Sequence, residues 1–214
     1  MVTSARRHGD VVRWRRRGPK RVLLVFAHPV RDSFIGAARD RAHDALAAAG
    51  HEIDVIDLYG EGFDPVLPAA EWANHGSRDG LPADVLAHVA KLQWADTLVF
   101  VYPTWFGAQP SMLKGWFDRV WVEGVAYRMP AGGGHLRPLL RNIRRVVVIT
   151  SHGSTKLMNA TTGEPGKRVI LRGLRSLCHP LARTRWVAFY GNDTATAADR
   201  SAFLERVASA MTKS

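Results

Sequence analysis

Short, continuous apolar runs alternate with helix-spaced segments along most of the chain, and that alternation leaves few folds open. Arg21 to Ala27 reads RVLLVFA, Thr97 to Tyr102 reads TLVFVY, and Arg144 to Thr150 reads RRVVVIT. Runs of this length, rich in β-branched residues and lacking polar alternation, suit parallel strands buried on both faces. Two further strands are expected at His51 to Tyr59, where Asp54 and Asp57 point to a sheet edge, and at Arg185 to Tyr190. Between the strands, Ser33 to Ala49 has helical spacing and stops at Gly50, and Ala83 to Trp94 is a second helix candidate. Pro110 to Val122 places apolar residues at 112, 113, 116, 117, 120 and 121, an amphipathic helix. Another helix is expected within Lys167 to Leu177 and a last one over Thr196 to Met211. The sum is an α/β three-layer sandwich around a five-stranded parallel sheet. Right-handed crossovers and a polar second strand select the order 2-1-3-4-5. That order opens a ligand crevice at the carboxyl ends of strands 1, 3 and 4. The irregular stretch from Gly60 to Pro82 is longer than an ordinary connection, which suggests a functional loop.

Charge concentrates at one end. The 214 residues carry a formal net charge of +11, yet residues 1–21 hold eight of the 30 Lys and Arg against Asp10 alone, leaving +4 for the rest. The basicity belongs to a leader over residues 1–20, expected to be disordered, ahead of a domain over residues 21–214. A nucleic-acid partner is therefore not the expectation for the domain. No apolar run reaches the roughly 18 residues of a membrane helix, and no apolar h-region follows the charged start, so membrane insertion is not expected. Cys178 is the one cysteine, which excludes an intramolecular disulfide and a thiolate metal cluster. No metal site is expected, and a cytoplasmic setting fits this cysteine usage.

Three loops meet at the crevice. The first, His28 to Phe34, joins a buried strand to a helix N-terminus, where free amides and the helix dipole favour an anion. Ser33 adds a hydroxyl there, and Arg31 or His28 a positive or polar contact; Ser33 or Asp32 also reads as a plain helix cap. The second, Pro103-Thr104-Trp105-Phe106-Gly107, sets two large aromatics in a strand-to-helix loop, suited either to a flat apolar ligand or to core and dimer contacts. The third, Thr150-Ser151-His152-Gly153-Ser154, offers hydroxyls, amides and an imidazole, and His152 is the histidine singled out as a proton donor. Neither G-x-G-x-x-G nor G-x-x-x-x-G-K-[ST] occurs, so a Rossmann fingerprint and a P-loop are unsupported.

The run from Tyr102 to Tyr127, YPTWFGAQPSMLKGWFDRVWVEGVAY, resembles the signature of the NAD(P)H:quinone oxidoreductase family, above all in its block Leu113 to Val120. The His28 to Phe34 loop resembles that family's first flavin-binding loop. Asp57-Leu58-Tyr59 with Phe63-Asp64-Pro65 resembles its segment after the second strand. The resemblance covers residues 21 to 190 and implies a flavodoxin-like fold. It also implies bound FAD (FMN as the alternative), a homodimer, and ping-pong hydride transfer from NAD(P)H to a quinone-type acceptor. It would set His28, Ser33 and Phe34 at the flavin phosphate side and Pro103, Thr104, Trp105 and Phe106 along the isoalloxazine. Thr150, Ser151 and Gly153 would close the other edge of the ring, with amides of the aromatic loop on its N5 and O4. The helix from Ser111 would lie at the dimer interface. The stretch Lys156 to Lys167 carries neither the tyrosine nor the histidine that the family's best-known quinone reductases have there, and His152 stands where the family often has glycine. A flavin-binding regulatory subunit of a potassium efflux transporter is the alternative function.

Overall fold

The computed structural model describes residues 18–73 and 78–212. Residues 1–17, most of the basic leader, lie outside the described residues. The strands in chain order are β1 (Arg21–Phe26), β2 (Glu52–Asp57), β3 (Thr97–Pro103), β4 (Tyr127–Arg128), β5 (Arg137–Pro138), β6 (Arg145–Ser151) and β7 (Arg183–Phe189). Five of them form a parallel sheet in the order β2-β1-β3-β6-β7, which is the expected 2-1-3-4-5 with a small β4-β5 hairpin inserted. The polar β2 sits at the edge, as its two aspartates require.

The strands form where their side chains find two faces to bury. Val22, Leu24 and Phe26 pack under α1 (Phe34–Ala48) and α7 (Ala197–Thr212), against Ile35, Ala38, Phe203 and Val207. Leu23 and Val25 point the other way, with Phe100, into a larger core closed by α3 (Ala83–Trp94) and α4 (Ser111–Val120). This is the period-two alternation of a strand read on both faces at once. Each such Val, Leu or Phe side chain contributes about 1.5–3 kcal/mol when fully buried.

Helix α4 carries the block that marks the family resemblance, and its side chains serve packing. Leu113, Trp116, Phe117 and Val120 are buried. A Cβ on Gly115 would stand 2.1 Å from the Pro65 carbonyl oxygen, so only glycine lets the Gly60–Pro82 stretch lie against the helix. Arg119, 4% exposed, grips Glu71 of α2 (Ala69–Ala73) with Nε and Nη2, and donates from Nη1 to the Asp64 carbonyl at 2.6 Å. Trp116 donates to His88 Nδ1 at 3.2 Å, and His88 Nε2 meets Glu61 at 2.8 Å. The long stretch is thus a strap over α4, and its described residues take no part in the crevice.

The helix expected within Lys167 to Leu177 is present as a continuous right-handed helical run over 165–177 whose hydrogen bonding changes along its length. Helix α5 (Lys156–Thr161) and α6 (Pro165–Arg168) precede a π-turn over 169–173 and a 3-10 turn over 174–177. Glu164 adopts φ 46° between them, a left-handed conformation that no helix continues through. Among the described residues, no helix is long and apolar enough to cross a membrane, and no group of three or more His, Cys, Asp or Glu could hold a metal ion.

Candidate functional site

An open cleft of about 470 Å³ lies at the carboxyl ends of β1, β3 and β6. The three loops singled out in the sequence do converge there. The first contributes His28, Ser33, Phe34 and Ile35. Ser33 is the N-cap of α1, its Oγ accepting from the Gly36 amide at 3.1 Å, which leaves the hydroxyl hydrogen and the Phe34 and Ile35 amides for a ligand. A Cβ on Gly36 would lie 1.8 Å from the Arg31 carbonyl oxygen, so the loop can fold back over the helix start only above glycine. The Phe34 ring packs edge-on against Phe189 at 5.0 Å, on the α7 side of the sheet, and its amide is what the first helical turn offers. His28 is anchored through Nδ1, 3.0 Å from the Val30 amide, and its ring stands 6.3 Å from that of Trp105.

The second loop contributes Pro103, Thr104, Trp105 and Phe106. Trp105 and Ala108 exchange amide–carbonyl bonds of 3.1 and 3.0 Å across a two-residue turn. Its centre is Phe106 (φ 49°) and Gly107 (φ 76°), both left-handed. Such a conformation is uncommon for a bulky residue, and here it thrusts the Phe106 ring wholly into solvent at the cleft mouth. The turn changes which amides are available. Those of Thr104 and Trp105 are spent on Ser151 and Ala108 carbonyls, whereas those of Phe106 and Gly107 have no partner among the described residues.

Ser151 and Gly153 of the third loop line the cleft, while Thr150 and His152, the alternate positions, sit beneath it. His152, expected as a proton donor, is 4% exposed. Its ring stacks on Tyr190 with centroids 4.6 Å apart. The hydrogen bonds fix its tautomer. The Asn159 amide nitrogen donates to the Ser154 and Thr155 carbonyls, so its oxygen must accept from His152 Nδ1 at 2.8 Å. Nε2 is then the acceptor, facing Thr104 Oγ1 at 3.4 Å, and Thr104 Oγ1 is 2.9 Å from Thr150 Oγ1. Burial lowers the His152 pKa, against the opposing pull of Asn159 and Glu164, so the ring rests neutral. A neutral, buried ring accepting at Nε2 meets the cleft through the Thr104 hydroxyl.

A fourth wall went unread in the sequence. Asn192 and Asp193, in the turn after β7, also line the cleft. Asp193 lies so close that a Cβ on Gly153 would meet its carboxylate at 2.5 Å. The Asn192 side-chain oxygen is buried without a hydrogen-bond partner. A short polar turn behind an edge strand gives no signal of its own. Only the strand order, which sets β7 beside β6, brings it to the crevice.

This architecture defines a class: a doubly wound domain whose ligand seat is the switch point beside its first strand, with a helix N-terminus at one end and an aromatic wall at the other. The chain belongs to the flavodoxin-like fold family, whose profile matches residues 20–213. NAD(P)H dehydrogenase (quinone) 1 of Cavia porcellus is 31% identical over 174 residues, covering 73% of this chain and 62% of that protein. Ribosyldihydronicotinamide dehydrogenase (quinone) of Pongo abelii is 30% identical over 158 residues, covering 66% of this chain and 68% of the relative. In structure, the NAD(P)H:quinone oxidoreductase from Methanothermobacter marburgensis superposes with a TM-score of 0.78 at 29% identity. It covers 91% of this chain and 96% of that one. The chain thus spans under two thirds of the first of these relatives.

The residues present suit a flavin. The orphaned Asn192 oxygen calls for a donor from a bound molecule, the free amides of Phe106, Gly107 and Gly153 call for acceptors, and Trp105 offers a flat apolar face.

Proposed function

We propose that this protein is a flavin-dependent oxidoreductase that takes a hydride from NAD(P)H and passes it to a quinone-type acceptor. The observation carrying this reading is the cleft itself. Helix-N-terminal amides, an aromatic wall and a loop of free amides converge at the switch point of a chain similar to quinone dehydrogenases. FAD is the flavin proposed and FMN the alternative. When bound, the flavin supplies the hydride chemistry, and the protein supplies binding, orientation and electrostatics. The Ser33 hydroxyl and the first turn of α1 hold the phosphate end, with His28 beside them. Trp105 and Pro103 wall the ring system. The free Phe106, Gly107 and Gly153 amides would donate to its polar edges and favour negative charge there. His152 acts through Thr104: accepting at Nε2, it fixes which way the Thr104 hydroxyl points. A homodimer, a cytoplasmic setting and the division into a leader over 1–20 and a domain over 21–214 belong to the same reading. The profile match beginning at residue 20 supports that division.

The test is the visible spectrum of the full-length protein after incubation with FAD or FMN and removal of the unbound fraction. Retained flavin bands that bleach with NADPH or NADH and return with a quinone are the expected result, with retention much reduced in Trp105→Ala. A folded protein that keeps neither flavin would overturn the reading. Flavin retention without quinone-driven recovery would shift it to the regulatory alternative.

A further inference from the structure

A second hollow, of about 610 Å³, lies at the opposite, amino-terminal end of the sheet. Seven cationic side chains line it against one carboxylate. Lys20 and Arg21 come from the start of β1, Arg141 and Arg144 from the loop before β6, Arg145 from β6, and Arg183 with Arg185 from β7. The register sets Arg145 directly beside Arg183 on neighbouring strands, an arrangement in which like charges oppose each other. Among the described residues, Lys20, Arg21, Arg141, Arg144, Arg183 and Arg185 form no salt bridge with a carboxylate. Asp96, the carboxylate in the hollow, is taken up by the Arg21 amide at 3.1 Å and the Thr97 hydroxyl at 2.8 Å.

Capping of helix ends is the ordinary use for cations at this end of a parallel sheet. It accounts for Arg145, which donates to the Ala210 carbonyl in the last turn of α7 at 2.8 Å. It does not account for the others. The carboxyl end of α3 is capped by a neutral residue, Asn142, whose amide reaches the Leu92, Gln93 and Ala95 carbonyls. The crowding of positive charge registers on its neighbours. Desolvation, and then Arg185 and Arg183, lower the Arg145 pKa. His51 is lowered by burial, Lys20 and Arg145, and His179 by desolvation, Arg144 and Arg141.

We propose that this hollow is a second ligand site, which binds a compact polyanion carrying several phosphate groups. Its guanidinium planes pair with phosphate oxygens in the bidentate manner that lysines cannot match. No aromatic residue lines it, so it gives nucleobases nothing to stack on, and its concave form holds a small ligand rather than tracking a strand. The site stands apart from the cleft and does not depend on the function proposed for it.

The experiment is calorimetric titration of the full-length protein with inorganic tripolyphosphate at low salt, with melting curves alongside and sodium chloride at matched ionic strength as the control. One-to-one binding and a raised Tm are expected. Arg183→Ala with Arg185→Ala should weaken binding by roughly tenfold or more, with flavin retention unchanged. If that pair fails to give the wild-type circular dichroism spectrum, Arg141→Ala with Arg144→Ala serves in its place. A third variant of the full chain, carrying Arg13→Ala, Arg15→Ala, Arg16→Ala and Arg17→Ala, should bind as wild type does. Absence of tripolyphosphate binding would overturn the proposal. So would binding that is lost with the leader arginines but kept without the hollow's, or binding of a single-stranded oligonucleotide where tripolyphosphate does not bind.

Discussion

Truncating Arg119 would leave Glu71, whose side chain is 11% exposed, without its counter-ion. The guanidinium's Nε and Nη2 both engage that carboxylate, and the hydrogen bond to Glu71 is the largest influence raising the arginine's pKa. Removing one partner of a fully buried pair costs about 3–5 kcal/mol, and Arg119→Ala, breaking a pair that is buried on the arginine side only, should lose somewhat less, about 2–3 kcal/mol in urea denaturation. An unchanged midpoint would mean that water reaches the pair. The family block Leu113 to Val120 is therefore legible for a reason its chemistry does not reveal. Trp116, Phe117, Gly115 and Arg119 each satisfy a packing or pairing demand, and none of them lines the cleft. Gly36 is the converse case. The sequence gives no hint that a methyl there would strike the Arg31 carbonyl, because the constraint belongs to the folded loop.

Elements with a strong internal pattern were readable, and elements set by tertiary contact were not. Strands β1, β3 and β6 and helix α3 follow from apolar runs and 3.6-residue spacing alone. The span from Lys156 to Gly166 does not, since Gly163, Pro165 and Gly166 break any period. Its course is set from outside: the Gly166 amide bonds the Gly107 carbonyl at 2.9 Å, and Gln109 reaches the Gly166 carbonyl at 2.6 Å. Of the candidate site, the three loops follow from position in the fold, and the family resemblance names nine of the cleft's lining residues within them. The facing of Thr150 and His152 was not readable, because it turns on which way a strand end alternates. Helix α5 is tied to that strand end by the His152–Asn159 bond, and the burial of the His152 ring, which disfavours its charged form, gives the pair a pH dependence. The folded-state pKa of His152 lies below its usual 6.5, so protonation favours the unfolded chain. Its share of stability is present above about pH 6.5 and is lost as pH falls through the folded value. Melting temperatures between neutral and mildly acid pH should fall less steeply in His152→Gln than in wild type. Equal slopes would mean that the ring stays neutral throughout or is free to leave.

At the scale of the whole molecule, Trp105 and Phe106 expose aromatic surface at the cleft mouth, and α5 exposes Leu157 and Met158. A second copy of the chain is the cover that the proposed homodimer supplies. Sedimentation equilibrium should then return twice the chain mass, with Phe106→Glu shifted toward monomer. A wild-type protein at one chain mass would exclude the dimer. The sheet also separates two unlike ends. Strands of six and seven residues hold them about 20 Å apart. The cleft lining carries Asp193 and no lysine or arginine, while the far hollow gathers seven cations. Among the described residues, the two ends of the strands therefore differ in the charge of their linings. On a negatively charged electrode, the domain over the described residues would favour lying with its arginine hollow down and its cleft toward the solution.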